Sequence, residues 1–216
     1  MSTYEDHTYA EQHQEIYNRV LDVAEREFQK HGIRAVRMDD IAHQLKMSKR
    51  TLYQFFADKE SLLLATTKRT LETEQQKFEE YLQKEENVLN LLFVILENHL
   101  KYLERISPVF FSELSRYPSV HQYVEEDKQR RFDNVTDFIK KGIEQGCFRK
   151  DVDFRIVSQV IQANSQKTIR ALLLKDFTLI DVFINFVITY FRGCCTEKGI
   201  TMIDKMLEEY RNREIQ

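Results

Sequence analysis

Apolar residues recur at helical spacing along most of this chain. Tyr17, Val20, Leu21, Ala24 and Phe28 stand three or four positions apart, so a helix here gathers them on one face. His31-Gly32 ends that run, with Gly supplying the residue that tolerates a left-handed cap. Met38, Ile41, Ala42 and Leu45 repeat the pattern over a short second helix, and Leu52 and Phe56 over a third. A tight turn at Lys46-Met47 separates the two. Ser48 is placed to cap the third helix, because its hydroxyl accepts from an unpaired backbone N–H of the first turn.

Asp58 caps a long helix that opens with Lys59-Glu60 and continues through Leu62, Leu63, Ala65 and Leu71 towards Tyr81. Asn87 starts the next, which runs through Leu91, Ile95, His99 and Tyr102 to Ile106, where Pro108 marks a break. A short helix from Val109 to Arg116 follows and is closed by Pro118. Ser119 then begins a longer polar helix that ends near Gly146 and carries Gly142 inside it at some cost. From Phe154 to Leu174 and from Leu179 to Phe191 the apolar residues lie almost all round, which demands cover on more than one side. Ile200 to Tyr210 forms a terminal amphipathic piece.

The 216 residues hold only two Pro and five Gly, too few for the many turns of a strand-rich fold, so the chain reads as all-α. No stretch of about 18 apolar residues and no charged-then-apolar leader is present, which predicts a soluble, cytoplasmic protein without a membrane partner. The three cysteines, Cys147, Cys194 and Cys195, offer no disulfide framework and fit buried thiols in a reducing compartment. A formal net charge of −3 argues against nucleic acid as a partner of the whole surface. Between 26 and 59, however, Arg26, Lys30, Arg34, Arg37, Lys46, Lys49, Arg50 and Lys59 outnumber Glu27, Asp39, Asp40 and Asp58.

That local surplus sits where the helical pattern predicts a helix-turn-helix. Opposite Leu52 and Phe56, the third helix presents Lys49, Arg50, Tyr53 and Gln54 beside its own N-terminus, where a phosphate or a base edge can meet both. Lys49 and Arg50 are placed to read base edges, with Arg suited to the paired acceptors of guanine. Arg37, Ser48, Thr51, Gln54 and Lys59 complete the expected DNA contacts, Thr51, Gln54 and Lys59 facing sugar and phosphate, while Tyr53 either joins them or packs against the first helix.

With Ala24, Phe28 and Gly32, then Ile41-Ala42, then Ser48-Lys49, Thr51-Leu52-Tyr53 and Phe56, then Lys59-Glu60, Leu62 and Leu63, the stretch from about 11 to 62 resembles the TetR family of bacterial transcription regulators. Lys46 and Arg50 depart from it, standing where glycines are usual, and Arg37 stands where Ser or Thr is common. The resemblance implies a three-helix DNA-binding unit at 11–57 behind a polar arm at 1–10, and a larger helical effector-binding and dimerisation domain at 58–216. It further implies a homodimer that binds double-stranded DNA at an inverted-repeat operator, as a repressor that answers to a small molecule. Val160, Leu179, Phe183, Phe186, Val187 and Tyr190 are the expected interface residues, in agreement with the two-sided apolar pattern. His99, Tyr102, Phe111 and Tyr123 are expected to line an aromatic effector pocket.

The chemistry of an enzyme is not legible. The six His are scattered without zinc spacing, no Gly-rich phosphate loop or Gly-x-Ser-x-Gly elbow occurs, and paired carboxylates such as Asp39-Asp40 read as solvated helix faces. Neither a cofactor nor a metal is expected. The rival to a regulator is a helical adaptor that uses the three-helix unit for protein contacts, and binding of duplex DNA at modest salt separates the two.

Overall fold

The computed structural model describes residues 2–84, 87–160, 185 and 188–214. Among them the regular elements are helices: α1 Ser2–His31, α2 Met38–Gln44, α3 Lys49–Phe55, α4 Lys59–Lys84, α5 Val88–Glu104, α6 Pro108–Leu114 and α7 Pro118–Glu144. Residues 154–160 are also helical, and α8 Thr189–Gly193 and α9 Glu197–Glu214 follow. The all-α expectation holds. Most of the two apolar segments read at 154–174 and 179–191 lies outside the described residues.

Two compact units are present. One comprises Met1–Glu74 with Arg105–Lys128, the other Gln75–Glu104 with Gln129–Gln216. The sequence places a border at 57/58, whereas this grouping joins α6 and the first turns of α7 to the three N-terminal helices.

In the first unit Val20, Leu21, Ala24 and Phe28 of α1 are buried together with Ile33, Val36, Ile41, Leu52, Phe56, Leu62 and Leu63. These are the positions that the helical spacing selects. α1 starts at Ser2, so residues 2–10, expected as a polar arm, are helix instead. The segment has no apolar stripe to advertise a helix, but neither Pro nor Gly interrupts it. Gly32 ends α1 with φ +82, and a Cβ there would stand 2.8 Å from Val109 Cγ1, so α6 closes directly on this cap. Ser107 N donates to Gln29 O at 2.7 Å beside it. Arg69 of α4 clasps α1 through Asp22 at 2.7 Å and Glu25 at 3.0 Å. Asp58 caps α4 as expected, its Oδ1 accepting from Ser61 N at 2.7 Å.

The second unit is organised around Phe148. Its ring centre lies 5.6 Å from Phe138, 5.7 Å from Phe154 and 5.4 Å from Phe191, and Val88, Leu89, Leu91, Ile188 and Ile203 complete the core. The cost assigned to Gly142 has a physical return: a Cβ there would stand 2.2 Å from the Phe148 ring, so the glycine is the recess that admits it. α5 opens on Asn87, whose Oδ1 accepts from Leu89 N at 2.9 Å, while Gln145 Oε1 accepts from Val88 N at 2.9 Å.

An isolated antiparallel bridge pairs Phe148 with Cys195, flanked by Arg149 N to Cys194 O and Thr196 N to Cys147 O, both at 3.0 Å. Cys147, Cys194 and Cys195 are all buried and free. Burial pushes the Cys195 thiol up to about 12, with smaller pushes from Cys194 and Cys147. An unfolded thiol releases its proton near 9, so the folded state holds more protons above that pH. The contribution is therefore complete below pH 9 and is lost as pH rises towards about 12. We expect alkylating reagents at pH 8 to leave the three thiols unmodified in the native chain and to modify them in denaturant, which mass spectrometry counts directly. Rapid native labelling of Cys195 would contradict the buried placement.

Candidate nucleic-acid interface

The α2–turn–α3 segment is built from local rules. Arg37 lacks a capping hydroxyl, and the reciprocal bond from Arg37 N to Asp40 Oδ2 at 3.0 Å secures the start of α2 instead. Met38, Ile41 and Ala42 bury its inner face. The chain then reverses through Lys46 at φ +53, the only positive-φ residue among the described residues that is not glycine. Met47 N donates to Ala42 O and Lys46 N to His43 O, both at 3.0 Å, and these bonds hold the strained turn. Ser48 caps α3 as read from the sequence: its Oγ accepts from Thr51 N at 3.0 Å and shares a hydrogen bond with Thr51 Oγ1 at 2.7 Å.

Leu52 and Phe56 are the inward face of α3, fully buried and nearly so. Phe55 at its end meets the His13 ring of α1 at 4.4 Å, and Tyr17 stacks on Phe56 at 5.2 Å. Outward stand Arg50, Tyr53 and Gln54, all exposed, and Tyr53 has 48% of its surface in solvent, so it is not a packing residue. Lys49, also exposed, is engaged in an ion pair with Asp39 of α2. Thr51 is half-buried, with its hydroxyl spent on Ser48.

Lys59 has a different setting from the phosphate contact expected of it. Its Nζ donates to Ile33 O at 2.9 Å and Val36 O at 3.0 Å, with Arg34 O at 3.5 Å, so its three donors are spent on the loop between α1 and α2. Burial lowers its pKa, nearby Glu113 counteracts this, and Arg34 adds to the lowering. Glu113 of α6 is itself buried and accepts from Arg34 N at 2.9 Å, while Glu60 accepts from Ser119 N at 3.0 Å and from Ser119 Oγ at 2.7 Å. The attitude of the 32–37 loop, and with it the start of α2, is thus set from α4 and α6.

Residues 20–66 match the family described as bacterial regulatory proteins, tetR family. Over that segment the chain is similar to the TetR family. This segment contains the capped α3, the Lys46 turn and the buried faces just described, and its likeness is to a DNA-binding unit of helix-turn-helix type from transcription regulators. Likeness to solved structures extends the fold further. A TetR-family regulator from Marinobacter aquaeolei is 17% identical, with 88% of this chain and 98% of that one covered at a TM-score of 0.67. PfmR, a TetR-family regulator from Thermus thermophilus, is 25% identical over 70% of this chain and 85% of its own, at a TM-score of 0.54. A transcriptional regulator from Saccharomonospora viridis, solved in complex with choline, is 21% identical over 90% and 96%, at 0.62. No curated protein matches the chain.

The expected effector residues fall in separate units. Tyr102, half-buried, belongs to the second, whereas Phe111 and Tyr123, also half-buried, belong to the first. Phe111 meets Phe110 edge-on at 5.6 Å, and the Lys68 ammonium lies over the Tyr123 ring at 5.1 Å. The side chain of His99 lies outside the described residues. A cleft of about 480 Å³ opens in the second unit, where Ile139, Ile143, Val152 and Phe154 provide an apolar floor under Lys140 and Lys150. Its residues come from both sides of the Gly146 turn, and the helical spacing offered no signal for it.

Of the expected interface residues, Val160 and Tyr190 are exposed, with 36% and 40% of their surface in solvent. Leu179, Phe183, Phe186 and Val187 lie outside the described residues. Among the described residues no group of three metal-ligating side chains converges, and no helix is long and apolar enough to cross a membrane.

Proposed function

We propose that the protein is a homodimeric, ligand-responsive regulator of transcription that represses by occupying an inverted-repeat operator. The observation that carries this reading is α3 itself, capped by Ser48, fixed from within by Leu52 and Phe56, and presenting Arg50, Tyr53 and Gln54 to solvent. Arg50 has no polar partner among the described residues, and a planar guanidinium at a recognition-helix start suits the O6 and N7 acceptors of guanine. Tyr53 and Gln54 are the proposed backbone contacts. Lys59 orients the 32–37 loop rather than meeting phosphate.

Dimer formation through Val160, Leu179, Phe183, Phe186, Val187 and Tyr190 presents two such helices related by a two-fold axis, so half-sites lie about one helical turn, roughly 34–36 Å, or a multiple apart. The proposed effector is a small molecule that engages Phe111 and Tyr123 of the first unit. The Lys68 ammonium over the Tyr123 ring supports a cationic ligand in competition with it, and the choline-bound structural neighbour makes quaternary ammonium compounds the first class to screen.

Selection of bound sites from random duplexes tests the reading. We expect an inverted repeat to emerge, and Arg50→Ala to cost about 1–3 kcal/mol of discrimination at one base pair per half-site. Failure of the wild-type chain to retain any duplex at modest salt would favour an adaptor.

A further inference from the structure

The DNA-facing surface carries a carboxylate that composition alone reads as solvated. Asp39 stands in the first turn of α2 and holds the ammonium of Lys49, the first residue of α3. Both side chains remain exposed, at 65% for Lys49 and 47% for Asp39, and exposed pairs stabilise a fold little. The consequence of this pair therefore lies in what meets the surface. The side chains of Lys46 and Arg50 on either side are exposed with no polar partner among the described residues, so Lys49 is the cation of this cluster that is held.

We propose that Asp39 is a specificity-determining residue, and that the Asp39–Lys49 pair reads a C·G base pair. The inference rests on the regulator reading above. A carboxylate on this surface is repelled by every phosphate it approaches, so it lowers affinity for DNA in general. In the major groove the penalty is offset at cytosine, whose N4 amine donates to a carboxylate, while O6 and N7 of the paired guanine accept from an ammonium. One C·G pair thus presents a donor and acceptors side by side, matching an acceptor and a donor held side by side on the protein. Without Asp39 the Lys49 ammonium is free to find any phosphate.

The test uses the full chain, Asp39→Asn, Lys49→Ala and the double variant, each measured on wild-type-selected and random duplexes across a salt series. We expect Asp39→Asn to bind random duplex severalfold tighter, to lose about tenfold in its preference for the selected sequence, and to relax one C·G position per half-site. With one ammonium released per subunit, the log–log salt slope of a dimer steepens by roughly 2, and this change is absent in the Lys49→Ala background. Equal preferences and slopes for wild type and Asp39→Asn overturn the proposal. So does an equal loss on selected and random duplexes with a lowered melting temperature, which makes Asp39 a helix-start residue only. A wild-type chain that retains no duplex overturns the regulator reading itself, a distinct result that precedes any comparison of variants.

Discussion

Phe148→Ala is expected to lower the stability of the second unit by about 3–5 kcal/mol, the range for emptying a buried aromatic site. Three other rings meet Phe148, and Gly142 lies under it, so the void has rigid walls and little means of collapse. The companion change, Gly142→Ala, attacks the same contact from the opposite side. Its methyl must displace a ring 2.2 Å away, and overpacking of this kind costs about 1–3 kcal/mol. Combining Gly142→Ala with Phe148→Leu should recover part of that loss, because the smaller side chain vacates the space. Denaturant titrations of the wild type, Gly142→Ala, Phe148→Leu and the double variant check this, and additive losses in the double variant would mean that the two sites do not share one cavity.

The second large effect is expected at Lys59. Lys59→Met keeps the aliphatic stem and removes the ammonium from Ile33 O, Arg34 O and Val36 O. Hydrogen bonds to a charged group are worth about 1.5–3 kcal/mol each, and these carbonyls lie near enough to solvent to regain water, so a net loss of about 2–3 kcal/mol is expected. DNA affinity should fall with it, since the start of α2 loses its support, but the salt slope should stay where it was. A phosphate contact behaves otherwise: losing one per subunit flattens the slope of a dimer by roughly 2. Unchanged melting with a flattened slope would return Lys59 to the DNA surface.

These two sites show where sequence reading succeeds and where it stops. The buried faces of α1, α2 and α3 and the caps at Ser48, Asp58 and Asn87 are legible because each depends on residues within one or two turns. Lys59 is not, since its acceptors lie 23 to 26 residues away and are backbone atoms that no side-chain pattern announces. Asp39 and Glu113 share that fate, their partners being ten and 79 positions distant. Pro108 and Pro118, read as a break and a closure, instead open α6 and α7. The first helical position has no use for the N–H that proline lacks, and a proline therefore marks a helix start as readily as an end. Residues 2–10 escaped because a polar helix carries no apolar period.

The way α6 closes on α1 bears on how such regulators can be cut and recombined. Gln29 O, Arg34 N and the Gly32 cap are met by Ser107, Glu113 and Val109, which enter the chain more than 70 residues later. A fragment ending after α4 leaves those backbone groups bare and the wall beside the α1 cap open, so it is not the natural excerpt of the DNA reader. The transferable piece is discontinuous. A chimera meant to keep the proposed operator preference should carry residues 105–128 along with 1–74, threaded through whatever sensor it borrows.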